Sequence, residues 1–218
     1  MWDFTYVLGF AIPLVLAAGV TIEVSLGAFA LATVLGLLLA SIRFFAPSRF
    51  VQIPIQVYIE IFRNVPSLTH LFIIFFGLAY LGIRLDSLSA AIIGLGLIGA
   101  AILTEIFRAG FEAVHIGQRE AALDVGMTPW MVFREVILPQ TWRVTLPPIG
   151  NYAVQLVKDT SLVAAIAAPE IMFTARNLVV NTFETTLVYG IAAGLYLAIC
   201  IPLSRSIRRL ERRMAIPR

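Results

Sequence analysis

GQREAALDVGMTPWMVFREVILP, Gly117 to Pro139, is the one long polar stretch in a 218-residue chain that is 60% hydrophobic. Arg119, Glu120, Asp124, Arg134 and Glu135 keep it out of hydrocarbon, where a charged side chain costs about 2.5 to 3.5 kcal/mol. Yet Ala121, Ala122, Val125, Trp130, Met131, Phe133 and Val136 recur too regularly for a plain linker. Such a face needs a cover, and the rest of the chain has to supply it or point to it.

That remainder is built for lipid. Charged residues make up 13% of the chain, roughly half the share usual in soluble domains, and the mean hydropathy is +0.92. At about 20 residues per span, this length holds one membrane domain of about five or six helices and no soluble domain. Residues 1–218 are therefore read as a single transmembrane domain. The net charge of +3 and a pI near 9.4 would suggest nucleic acid as partner of a soluble protein. In a membrane protein the positive-inside rule accounts for the excess, so membrane lipid, not nucleic acid, is the expected neighbour. Cys200 is the only cysteine, which excludes an intrachain disulfide. His70 and His115 belong to no metal-binding pattern, so no metal is expected. The first 22 residues contain neither Lys nor Arg, so the basic region of a cleavable signal peptide is missing.

Read in order, Phe4 to Ala18 is expected to lie as a helix at the outer surface, because Gly9, Pro13 and Gly19 break the first apolar run. Gly19 to Ile42 is the first span, with Arg43 and Arg49 at its cytoplasmic end. Asn64 to Ile83 is the second, broken early by Pro66, and Ser87 to Thr104 the third, rich in Gly and Ala that allow close helix approach. Val144 to Ala168 is the fourth, interrupted at Pro147-Pro148 and at Lys158-Asp159, and Pro169 to Glu184 is an outer connection. Thr185 to Ser204 is the fifth, followed by a basic tail over residues 205–218. This map puts 12 of the 16 basic residues on the inner side, with the N-terminus outside and the C-terminus in the cytoplasm. A sixth span would move only Met1.

On the same map the polar stretch is a cytoplasmic loop, residues 113–142, between spans three and four. Its local signals describe two short helices. Gln118 to Val125 stops at Gly126, a left-handed cap; Thr128 caps a restart with Pro129 at the first helical position; and Pro139 closes the second helix. The result is a knuckle projecting from the membrane with a small, partly apolar tip.

Glu120-Ala121-Ala122, then Gly126, Val136 and Leu138-Pro139, resembles the EAA motif of permease subunits of ATP-binding cassette importers, with Val136 where Ile is usual. Glu60-Ile-Phe-Arg63-Asn-Val-Pro66, Glu105-Ile-Phe-Arg108-Ala-Gly110 and Leu156-Val-Lys158-Asp159-Thr160-Ser161-Leu162 are similar to the polar amino acid uptake branch. The resemblance runs from about Gly19 to Arg213. It implies an all-α membrane protein of the type I importer permease fold: five transmembrane helices, an N-terminal interfacial helix and a cytoplasmic coupling helix, in the bacterial inner membrane. It further implies that Glu120, Ala121, Ala122, Asp124, Gly126 and Thr128 dock on an ATPase. Two such ATPases would bind ATP and Mg, leaving this chain no cofactor of its own and no enzymatic activity. A second permease, identical or similar, and an extracytoplasmic substrate-binding protein complete the implied assembly. The residues agree on one point independently: Lys158, the only lysine, is followed by Asp, so the chain holds no G-x-x-x-x-G-K-[ST] nucleotide loop.

For the solute, Thr69, His70, Lys158, Asp159, Thr160 and Ser161 are candidate path residues, because ionisable groups at membrane depth need a protein or water environment. Adjacent helical residues point about 100° apart, so Lys158 and Asp159 pair poorly with each other. They either line the path or brace neighbouring helices, and His70, where the family often has Gln, either faces the solute or packs in the core. Arg63 and Arg108 read as inner-boundary anchors. Two other classes fit less well. A stand-alone secondary amino acid carrier predicts an inverted repeat, and residues 19–110 and 111–206 show none. An intramembrane hydrolase predicts a G-x-S-x-G elbow or a clustered nucleophile and base, also missing.

Overall fold

A computed structural model describes residues 3–214; the last part of the basic tail, residues 215–218, lies outside them. The described chain is helical throughout, in eight helices. They are α1 (Phe4–Phe45), α2 (Arg49–Asn64), α3 (Ser67–Tyr80), α4 (Ser87–Glu112), α5 (Ile116–Asp124), α6 (Pro129–Ile166), α7 (Ile171–Thr182) and α8 (Thr185–Met214). Three of them, α1, α4 and α8, are each long and apolar enough to cross a membrane. The bent pairs α2–α3 and α6–α7 bring the number of candidate spans to five.

α4 is the central pillar, and α1 is its main partner. Along α1 the buried positions Ala28, Ala32, Gly36 and Ala40 recur every fourth residue, giving a smooth groove for the facing helix. Gly36 lies against the backbone of Ala100 and Thr104, so close that an added Cβ would sit 2.9 Å from Leu103 Cβ. In lipid no hydrophobic drive holds two helices together, so this contact density has to. The polar side chains in the same helices are satisfied locally: Ser25, Thr33, Ser41 and Thr104 donate to the carbonyls four residues back at 2.6–2.8 Å.

Three expectations are corrected here. The separate surface helix and first span are one helix: α1 runs unbroken through Pro13 and Gly19 for 42 residues, about 63 Å, twice the hydrocarbon thickness of about 30 Å. Its N-terminal part is held by packing, with Phe10 and Leu14 buried against Ile171, Ala175, Leu187, Val188 and Ala192, and Tyr6 donating to Glu184 at 2.9 Å. Second, α6 is not interrupted at Pro147-Pro148, nor does Pro139 end a helix. Val132–Ile137 winds as a π-helix, and that wider turn admits the Pro139 ring and its missing N–H, so the knuckle's second helix continues straight into the fourth span. The expected change at Lys158-Asp159 does occur, as a tighter 3-10 turn over Thr160–Ile166 ending at Ala167 with φ 59°. Third, the outer connection is itself helical, as α7.

The early break at Pro66 is sharp. Val65 is extended, as a residue before proline prefers, and α2 and α3 meet at 109°. α2 packs Ile55 and Ile59 against Ala101 of α4, and Tyr58 donates to the Leu97 carbonyl at 2.6 Å.

Candidate functional site

The knuckle is assembled from local signals. His115 caps α5, its Nδ1 accepting from the Gly117 N–H at 3.1 Å. At the other end Gly126 adopts φ 86°, Gly126 N–H donates to Leu123 and Met127 N–H donates to Ala122, a Schellman closure. Thr128 Oγ1 then accepts from the Met131 N–H at 3.3 Å, and Pro129 opens α6. Two helices thus meet at Val125–Thr128 with every turn position chemically specified.

The cover for the apolar face comes half from within. Val132, Phe133 and Ile137 are buried, and Phe133 is the hub of an aromatic cluster, with ring centroids at 4.9 Å from Phe45, 5.3 Å from Phe44, 5.2 Å from Phe111 and 5.9 Å from Trp130. Phe44 and Phe45 end α1, and Phe111 is in the last turn of α4, so the knuckle is clamped to the C-terminal ends of both central helices. The Arg119 guanidinium sits 5.3 Å from the Phe44 ring, adding a cation–π contact. The other half of the face stays open: Leu123, Val125, Trp130 and Met131 are exposed, Val125 by 78%. Of the expected docking residues, Glu120, Ala121, Asp124, Gly126 and Thr128 are exposed around this patch, while Ala122 is buried beneath it.

Behind the clamp, an ionic brace ties α1, α2 and α4 together. Arg43 of α1 pairs with Glu105 of α4 at 2.9 Å and donates to Gln52 of α2 at 3.0 Å. Arg108 pairs with Glu105 at 2.8 Å and with Glu112 at 2.7 Å. Arg63, Asn64 and Ser67 face, together with Glu105 and Arg108, a cavity of about 950 Å³ between the α2–α3 bend, the C-terminal half of α4 and α6.

None of the six candidate path residues lines that cavity. The structure does bring their two segments together, since α3 packs on the 3-10 turn Thr160–Ile166. His70 is buried and stacked on Phe62 at 4.5 Å, its Nε2 without a hydrogen-bond partner among the described residues. Thr160 is buried and donates to the Val157 carbonyl at 2.7 Å. Asp159 is half-buried, accepting from Gln155 at 2.8 Å, and Thr69 and Lys158 are exposed. Among the described residues Lys158 and Asp159 do not pair with each other.

Sequence reasoning missed Glu170, placed in a loop but fully buried in the structure. Its carboxylate accepts from the Phe173 N–H and from the Tyr196 hydroxyl, each at 2.7 Å, so it caps α7 and ties it to α8. An acidic residue directly before an apolar helical run was the available signal.

Comparison with known proteins fits this architecture. The family described as binding-protein-dependent transport system inner membrane component matches residues 32–216. The chain belongs to that family. The glutamine transport system permease protein GlnP of Escherichia coli (strain K12) is 34% identical over 209 residues, covering 94% of this chain and 95% of that one. The probable amino-acid ABC transporter permease protein YckA of Bacillus subtilis (strain 168) is 37% identical over 182 residues, 84% and 80% of the two chains. Among solved structures, an amino acid ABC transporter crystallised with histidines superposes with a TM-score of 0.89 at 28% identity, over 98% of this chain and 99% of that one. The inward-facing MetNI methionine transporter shares the fold, with a TM-score of 0.73 at 19% identity over 92% and 93% of the two chains. The chain is therefore an ABC importer permease of the type I fold, and a stand-alone carrier finds no support among these relatives.

Proposed function

We propose that this permease moves a polar L-amino acid inward across the bacterial cytoplasmic membrane, paired with a second permease and driven by two ATPases that bind the ATP and Mg. An extracytoplasmic binding protein delivers the solute, the N-terminus lies outside and the C-terminus in the cytoplasm. The observation that carries the reading is the half-covered knuckle: its inner face is locked to α1 and α4, and its outer face offers Glu120 to Thr128 around exposed Val125 and Trp130. Closure of the ATPase dimer draws two such knuckles together, and the clamp passes that displacement to the spans, turning the cavity outward. The amino acid substrate is supported by the names of the relatives. Thr69, Asp159 and Ser161 are proposed to meet the solute where α3 and the 3-10 turn adjoin, with Lys158 at the rim and His70 and Thr160 shaping the wall from behind.

The test is Gly126→Asp beside Gly126→Ala. Both suffer the strain of a left-handed side chain, about 1 to 2 kcal/mol, but only aspartate puts a charge at the tip. Gly126→Asp is expected to insert normally yet lose ATPase co-purification and ATP-driven uptake in proteoliposomes, while Gly126→Ala retains both in part. Normal uptake by Gly126→Asp would refute docking at this tip. Competition of uptake by the common amino acids identifies the solute.

A further inference from the structure

The inner end of α8 carries a feature that coupling and transport leave unused. Arg205, Arg208, Arg209 and Arg212 together line one hollow of about 160 Å³. Their spacing of three and four residues places them on a single helical face, spread over about 100°. The face has a fixed direction. Ile207 packs on the backbone of α6 at Gly150, and the arginine arc is centred about 150° away from Ile207, so it points away from the bundle. All four side chains are exposed, and among the described residues none is within salt-bridge distance of a carboxylate.

Depth selects the occupant. The apolar part of α8, Thr185 to Ser204, is about 30 Å long, the thickness of the hydrocarbon core. Exposed Leu197 and Ile201 on that part face lipid or a partner within the core. Arg205 to Arg212 fill the next roughly 10 Å, which begins in the headgroup layer of about 5 to 7 Å. The positive-inside rule requires only that basic residues be present on this side. It does not require four arginines to line one hollow, and guanidinium groups suit the oxygens of a phosphate.

We propose that this face binds the phosphate of anionic phospholipids in the leaflet where α8 ends. The site is independent of the transport reading, and its test needs neither ATP nor solute. The purified full-length chain is placed in nanodiscs of phosphatidylcholine and phosphatidylglycerol in equal parts, and the lipids that remain bound after extraction are identified by mass spectrometry. Wild type is expected to be enriched in phosphatidylglycerol. The variants R205Q/R209Q and R208Q/R212Q should each lose that enrichment by about thirtyfold, consistent with about 1 kcal/mol for each of the two basic residues removed. The variant R205K/R208K/R209K/R212K keeps the charge needed for insertion and should retain most of it, and R84Q/R176Q, altered on the opposite side, should match wild type. Equal enrichment in wild type and both glutamine variants overturns the proposal. So does displacement of the lipid by equimolar inorganic phosphate, which would make the hollow a site for the free anion. Unchanged enrichment with loss of ATPase co-purification would assign the face to the partner ATPase instead.

Discussion

Single residues set the geometry where helices touch. Gly99 is the tightest such point: an added Cβ would fall against the Tyr152 hydroxyl and 2.7 Å from Ala32 Cβ, so α1 and α4 come close there and the Tyr152 side chain of α6 reaches in between. At the N-terminal end of α4, Asp86 does the capping. Its Oδ1 accepts from the Ser89 N–H at 2.8 Å and its Oδ2 from the Ser89 hydroxyl at 3.0 Å. These two bonds, backbone first, hold the carboxyl below its ordinary value of 3.8. A depressed carboxylate contributes stability that is present above the unfolded value and fades as pH falls through the folded one. Asp86→Asn keeps the cap without the titration, because asparagine caps as well as aspartate. The thermal midpoint of wild type should therefore drop below that of Asp86→Asn as the medium is acidified to about pH 3, with the two equal near neutrality. Parallel acid profiles would show that the cap is not titrating.

At the level of elements, the knuckle clamp makes the sharpest claim. Phe133→Ala removes a buried ring from a five-ring cluster and should cost about 3 to 5 kcal/mol, read as a lower unfolding midpoint in detergent. The tip proposed to dock on the ATPase stays intact, so the variant complex should hydrolyse ATP with little uptake. Loss of hydrolysis in step with uptake would place the ring's role in folding alone. The caps of this element were legible in sequence because each acts within four residues: Gly126, Thr128 and Pro129 need no knowledge of the rest of the chain. The passage through Pro139 was not, since it depends on a π-turn over Val132–Ile137 whose residues are anchored by Phe44 and Phe45 some ninety positions earlier. Likewise, Pro13 and Gly19 read as breakers, but lipid offers the backbone no alternative partner, and packing on α7 and α8 keeps α1 continuous. Which side chains face a solute depends on helix rotation and on a second permease, neither encoded in local spacing; His70 and Thr160 turn inward for that reason.

For the whole molecule, α4 with α1 forms the rigid centre, and the brace of Arg43, Glu105 and Arg108 fastens α2 to it just above the clamp. The knuckle clamps the ends of α1 and α4 beside the brace, and Glu105 and Arg108 of the brace also line the cavity beside Arg63. Glu105→Gln strands Arg43, whose side chain is only 15% exposed, while Arg108 keeps Glu112, and should destabilise the chain by about 2 kcal/mol. Replacing Arg43 and Glu105 together by methionine removes the polar demand on both sides, and Arg108 retains Glu112; such exchanges are often neutral for folding. The double variant should therefore recover most of the lost stability in urea or thermal unfolding. If the brace serves only the fold, uptake per ATP recovers with it. If it carries the stroke from knuckle to cavity, stability returns while uptake per ATP hydrolysed stays low in proteoliposomes, and the latter is the outcome expected from a brace that spans α1, α2 and α4 directly behind the coupling element.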